Sequence, residues 1–399
     1  MGVAVSSSVS SRGFFSRRSL FVSLLFVIVL VFCIVVAVFM SNDVSSVVDV
    51  DGVVRVGTEV ELRAAIDKAA VVGGAVEPTV IALTNDITLA GQFVIAGGKN
   101  ITLTSDSNDT FYKLFFKTSP RAITVDTNGW LILDGVIITR GSGSVGSGIT
   151  VSLGGTLVMV DGEISGHTAH VAGGGVFNLG SFIMLGGIIT DNSAIQGGGV
   201  SNNGQFTMLG GVISGNVAQV RGGGVENFGG GRGFVMSGGV ISDNEAVKGG
   251  GVYHNRYNSF SLSGAGVISN NVANVGGGVY PECNFNMTGG VISGNSARSS
   301  GGGVYIEQGI FRLMSGKISD NAALNSGGGV WVDVHNFNNL FVSEGVVFEN
   351  NWASAAYNRA FDHTLLYNRQ IAPNVTWTTP FTQGYNNYDI SNTIGAKIS

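Results

Sequence analysis

The sequence predicts an all-β fold, a single-stranded parallel β-helix solenoid of about eleven coils. Three observations predict it. The string GGGV begins at Gly173, Gly197, Gly222, Gly249, Gly276, Gly301 and Gly327, at steps of 24 to 27 residues. Each period ends in Asn-x-Ala, with the Asn at 192, 216, 244, 271, 295, 321 and 351. Glycine makes up 63 of 399 residues and proline only 5, with no every-third-residue glycine, which removes collagen and disfavours helical bundles. An apolar fraction of 44% with a net charge of −5 is enough material for a core, so disorder is excluded as well.

Within a period the pattern predicts three short strands. In Gly276 to Ala297 these are Gly-Val-Tyr, Phe285-Asn-Met287 and Val291-Ile292-Ser293, with Val279, Phe285, Met287 and Ile292 on one face. Gly, Asn and Ser turns separate them. No single unit buries its apolar face alone, whereas stacked units bury a continuous column. At about 4.8 Å per coil, residues 79–355 make a rod about 50 Å long. Glycine suits the corners because it adopts positive φ without penalty. Asn also tolerates the left-handed region, and identical Asn side chains one coil apart can bond amide to amide. Asn192, Asn216, Asn244, Asn271, Asn295, Asn321 and Asn351 are therefore read as a structural ladder rather than a ligand-binding stripe, and His167 as a variant rung at its head.

The flanks are read as follows. Residues 1–19 are a basic segment carrying Arg12, Arg17 and Arg18. Residues 20–40 hold one polar side chain, Ser23, and are long enough to span a bilayer as a signal-anchor. The charge bias puts the N-terminus in the cytoplasm and the repeats outside the cell membrane, on a single-pass topology. A cleaved signal peptide is the competing reading, against which the length of the apolar run counts. Residues 41–78 are a linker and a short capping helix: Thr58-Glu59-Val60-Glu61 is a capping box ahead of Leu62, Ala65, Ile66 and Ala69 on one helical face. Thr79 to Leu83, Ile87 to Leu89, Phe93 to Ile95 and Ile101 to Leu103 read as early coils, and 104–120 as a loop excursion. The segment 356–399 breaks the repeat and is read as a C-terminal cap; the eight aromatics from Trp352 onward cover the last coil or meet a glycan.

Candidate chemistry is sparse. Residues 20–399 carry 18 basic and 26 acidic side chains, with no basic cluster, which speaks against nucleic acid. Cys33 and Cys283 fall on opposite sides of the domain plan, so no intramolecular disulfide is expected. No cofactor motif is present, and the five His show no metal-ligand spacing. Asp191, Asp243, Glu245 and Asp320 flank the Asn column, but Gly precedes Asn216 and Asn295, so this acidic column is interrupted. Arg221, Lys248 and Arg298 are scattered near corners and read as solubilising. Asn100, Asn108, Asn286 and Asn374 begin glycosylation sequons.

The repeats, in units such as GGGVSNNGQFTMLGGVISGNVA, resemble those of the right-handed parallel β-helix proteins of the pectate-lyase-like superfamily. They are most similar to Gly-rich adhesin-like surface proteins, and more distantly to chlamydial polymorphic outer-membrane proteins. The resemblance covers about residues 50–390 and implies a right-handed β-helix in a surface or extracellular role, often adhesion. It also raises the enzymes of that superfamily. The chain has no Asp-Asp pair, no Gly-His-Gly and no Arg-x-Lys of the polygalacturonase type. The expectation is a non-enzymatic, membrane-anchored surface protein, adhesin-like or an envelope component, with glycan or cell-surface protein ligands. The alternative is a divergent polysaccharide lyase or glycosidase on the same fold.

Overall fold

The structure, a computed structural model, describes residues 52–354 apart from 72–76, 108, 119–120, 142, 144, 230–232, 256–258, 334–339 and 344–345, together with 376–377 and 390–391. Residues 1–19, the apolar run 20–40, the start of the linker and most of the expected C-terminal cap lie outside the described residues. Among the described residues no helix is long and apolar enough to cross a membrane.

The chain winds into an all-β parallel solenoid of about eleven coils. A regular coil contributes four strands, such as Val200–Asn202, Gln205–Met208, Val212–Ser214 and Val217–Arg221. The first of these belongs to an 11-stranded sheet, the next two to a 22-stranded sheet and the last to a 7-stranded sheet. Every pairing between these strands is parallel and joins a strand to its counterpart one coil away, as in Val200↔Val225, Phe206↔Phe234 and Ile213↔Ile241.

Two sequence readings need correction. Among the described residues, five of the seven GGGV units hold four strands rather than three; the units at Gly276 and Gly301 hold three, because Phe285–Ser293 and Phe311–Ser319 each run through as one strand. The Asn-x-Ala segment itself pairs with the next coil, in pieces as short as Ser296–Ala297 that leave no periodic signal. The loop expected over 104–120 contains a strand: Tyr112–Phe116 pairs with Ile87–Leu89 and with Val136–Arg140, and Leu114 and Phe116 are buried. Its apolar residues alternate inward like those of any other coil.

Register produces the core. Phe182, Phe206, Phe234, Phe260, Phe285 and Phe311 stack face to face with centroids 4.6 to 4.9 Å apart. Beside them run Met184, Met208, Met236, Leu262, Met287 and Leu313, then Ile189, Ile213, Ile241, Ile268, Ile292 and Ile318. All are fully buried, at about 1.5–3 kcal/mol per large side chain. At the N-terminal side, the helix Glu59–Lys68 opens on Thr58, whose Oγ1 accepts from the Glu61 N–H at 3.2 Å, while the Glu61 carboxylate accepts from the Thr58 N–H. Leu62, Ala65 and Ile66 of this helix are buried within the same apolar core as Ile81 and Leu83.

The GGG triplet answers two separate demands. Gly197 sits at φ +60, where a side chain is strained. Gly199 has an ordinary φ, but a Cβ there would lie 2.7 Å from the Gly224 carbonyl oxygen, 2.9 Å from Ile213 Cγ2 and 3.0 Å from Asn216 Nδ2. Gly199→Ala is therefore expected to cost about 3 kcal/mol by overpacking. Gly143→Ala, at φ +84 with open space around it, is expected to cost about 1 kcal/mol. Thermal unfolding followed by circular dichroism checks the pair, and equal losses would sink the close-approach explanation.

Candidate functional site

The Asn of each Asn-x-Ala lies inside the solenoid, at a corner where backbone groups of the turn need partners. Along the column, Nδ2 donates to the Oδ1 of the next coil: Asn192 to Asn216 at 3.0 Å, Asn216 to Asn244 at 3.0 Å and Asn244 to Asn271 at 3.0 Å. Asn271 continues to Asn295 at 2.9 Å, Asn295 to Asn321 at 3.0 Å and Asn321 to Asn351 at 3.0 Å. The second Nδ2 hydrogen goes to an Ile carbonyl of the preceding coil, as from Asn271 to Ile241 at 2.9 Å. Each Oδ1 also accepts the backbone N–H of the preceding ladder residue, as Asn295 Oδ1 does from Asn271 at 3.0 Å. Two donors and two acceptors are thus all used, and these side chains are buried, which leaves nothing for a ligand. The left-handed residue at this corner is not the ladder Asn but the one before it: Asp191, Asp243, Asn270, Asp320 and Asn350 have φ from +53 to +57, and Gly166, Gly215 and Gly294 fill the same slot. A short polar side chain or none at all suits that slot, which explains why acids and glycines alternate there.

His167 heads the column. Its N–H donates to Asn192 Oδ1 at 3.0 Å, its Nε2 lies 3.1 Å from the Ile138 carbonyl oxygen, and Arg140 Nε donates to its Nδ1 at 3.3 Å. Burial holds its pKa down to about 3.

A second internal ladder escaped the sequence reading. Asn178 Nδ2 donates to Asn202 Oδ1 at 2.7 Å, Asn202 Nδ2 to Asn227 Oδ1 at 2.7 Å, and Asn227 Nδ2 lies 3.1 Å from His254 Nδ1. Its signal is present as the third residue of Val-Phe-Asn, Val-Ser-Asn, Val-Glu-Asn and Val-Tyr-His, an inward position by strict alternation.

The middle residue of those same strands points away from the core, and packing against its neighbours on adjacent coils buries all of the row but Tyr305, which is half-buried. On successive coils it is Ser201, Glu226, Tyr253, Tyr280, Tyr305 and Trp331. The rings stack with centroids 5.6, 5.2 and 4.2 Å apart. Charged side chains close over them. Arg221 lies 4.9 Å from the Tyr253 centroid and 5.2 Å from that of Phe228, and Lys248 lies 4.7 Å from that of Tyr280. Glu226, only 1% exposed, accepts from Ser201 Oγ at 2.9 Å and Arg221 Nε at 2.8 Å. Arg221 and Lys248 are therefore placed in a network rather than scattered for solubility, and Arg298 pairs with Glu245 at 2.7 Å. Glu282, Glu307 and Asp333 follow the strands of three successive coils; the Tyr280 hydroxyl accepts from Lys248 Nζ at 3.0 Å and donates to Glu307, and Lys248 and Glu307 lie 3.8 Å apart.

Electrostatically this flank is quiet. Burial raises the Tyr253 and Tyr280 phenols well above their ordinary range and the Tyr305 phenol to about 12, with Glu282 and Glu307 reinforcing the effect. These hydroxyls stay protonated and donate hydrogen bonds; they do not act as bases. Burial also raises the Glu226 carboxyl, outweighing Arg221 and Ser201. Tyr253, Tyr280 and Trp331 are buried, and the Lys248–Glu307 ion pair beside them is half-exposed. Among the described residues no group of three or more His, Cys, Asp or Glu could hold a metal ion. Of the sequon residues, Asn100 and Asn286 lie half-buried on the strands Asn100–Ser105 and Phe285–Ser293, while Asn108 and Asn374 fall outside the described residues. The chain matches no protein-family model, no curated protein and no solved structure.

Two outcomes test these assignments. In Asn271→Asp the ladder amide becomes a buried carboxylate that cannot donate to Asn295 or Ile241, so unfolding at pH 7 should be easier by about 3–5 kcal/mol; an unchanged midpoint refutes the ladder. For Glu226, a raised carboxyl pKa means that the native state holds the proton more tightly. That stability is present below the ordinary glutamate range and is lost as pH rises through the native value. Glu226→Gln should therefore raise the melting temperature relative to wild type at pH 7 and lose that advantage at pH 4.

Proposed function

We propose that the chain is a membrane-anchored, extracellular β-helix surface protein, adhesin-like or an envelope component, that binds an extended glycan or partner surface along the flank of its rod. One observation carries this reading: the outward row from Glu226 to Trp331 repeats an aromatic or charged group on each coil, with Lys248 and Glu307 half-exposed beside it. An extended ligand lying along the axis would meet the half-buried charged residues Lys248, Glu282, Glu307 and Asp333 on successive coils, so weak contacts add. The repeat resemblance to adhesin-like members of the pectate-lyase-like superfamily and the apolar run 20–40 support the surface placement.

Full-length chain held in lipid nanodiscs and probed on a glycan array and on cell surfaces tests the proposal. Saturable binding that falls at least tenfold in Lys248→Ala/Glu307→Ala is expected, a loss of about 1.4 kcal/mol or more. No binding to any surface, or binding indifferent to both residues, overturns it. The second reading, a divergent polysaccharide lyase or glycosidase, is favoured by Glu226 lying against Arg221. It requires new unsaturated or reducing ends from uronic-acid polysaccharides, with or without Ca²⁺, that disappear in Glu226→Gln.

A further inference from the structure

Three constructions begin at one corner of the rod. The Asn ladder starts there, through the His167 N–H to Asn192. The 7-stranded sheet starts there too, preceded by single bridges Thr168↔Ser193 and Ala172↔Gln196. Arg140 and His167, 5% and 0% exposed, meet at the same place. Coils on the N-terminal side contribute no strand to the 7-stranded sheet among the described residues. The other two sheets run through the corner without interruption, as in Ile138↔Ile164 and Ile149↔Val176.

We propose that the Arg140–His167 contact is an acid-sensitive latch, closing the corner at which the four-stranded coils begin. The geometry permits only the neutral ring. Nε2 faces the Ile138 carbonyl oxygen and carries the proton, so Nδ1 is the acceptor for Arg140 Nε–H. A second proton can be placed only on Nδ1. It would turn an acceptor into a donor pointed at another donor and set an imidazolium against a guanidinium. Gly148 packs tightly against the Cδ2 edge of the ring: a Cβ there would stand 2.9 Å from His167 Cδ2 and 2.9 Å from Ile164 Cγ2. The elements around the ring contribute Arg140 and Ile138 from Val136–Arg140, Gly148 from Ser147–Val151, Ile164 from Gly162–Ser165, and Asn192 from the next coil. Arg140 is the charged member of that set.

The sign of the pH effect follows. The closed corner excludes the proton, with a ring pKa held near about 3, while an opened corner frees a histidine that titrates at about 6.5. Acid therefore draws the corner open. The open fraction rises about tenfold for each pH unit below about 6.5 and levels off near the closed-state value. The continuous sheets confine the opening to hydrogen bonds at this corner, such as Gly146 N–H to Thr168 O, Gly148 N–H to Gly174 O and Ala169 N–H to Ser193 O.

Amide hydrogen exchange on the full-length chain between pH 7 and pH 4.5, corrected for intrinsic rates, tests the latch. Corner peptides spanning 145–150 and 166–173 should lose protection about tenfold per pH unit below about 6.5. Peptides around Asn244 and Asn271 should stay flat, and in His167→Asn the corner slope should vanish. A corner slope no steeper than that of the ladder coils in the wild-type chain overturns the proposal, and so does an undiminished slope in His167→Asn. The wild-type comparison decides the matter even if the variant does not fold.

Discussion

Everything in the rod depends on in-register parallel stacking, which places each side chain over its counterpart one coil away. Such stacking sets each position beside its counterpart on both sides, so a residue that recurs must be able to pair with itself. Apolar residues do so by packing, as the Phe182 to Phe311 column shows. Amides do so because Asn carries donors and an acceptor together, which makes it fit for a buried corner. Charges beside the row from Glu226 to Trp331 recur with like charge one coil away, as Arg221 does with Lys248, and are balanced across it: Glu226 meets Arg221, and Lys248 lies over Tyr280 beside Glu307.

This constraint decides what could be read from the residues alone. Positions that must repeat themselves announce their period, so the GGGV and Asn-x-Ala strings suffice for the solenoid and its coil count. Positions free to vary carry no such mark. The row of Glu226, Tyr253, Tyr280, Tyr305 and Trp331 differs from coil to coil, and its members look unrelated until the register puts them in line. Asn202 and Asn227 repeat, but they sit beside the louder glycine signal. Strands of two residues, such as Ser296–Ala297, are too short for alternation to show. Tyr112–Phe116 was obscured because its coil lacks the Gly-Asn punctuation of later coils, although its own alternation is clear.

The same constraint bears on function. A phenol above its ordinary pKa, a buried carboxylate bonded to Arg221, and cations seated on ring faces are groups satisfied by one another. The half-exposed Lys248 and Glu307 beside them are likewise paired, 3.8 Å apart.

The ladder has a direction as well as a sequence. Each of its side-chain carbonyls accepts from the coil before it, so the carbonyl bonds from Asn192 to Asn351 all aim toward the N-terminal end. Aligned in a row, such bond dipoles add, as peptide dipoles do along a helix. The solenoid therefore has an electrical polarity that its sheets, with hydrogen bonds running both ways between coils, do not supply. Its negative pole points at the corner where Arg140 lies buried. The guanidinium there, which also donates to the Ser147 carbonyl oxygen, is placed as a basic side chain is placed at the carbonyl end of a helix.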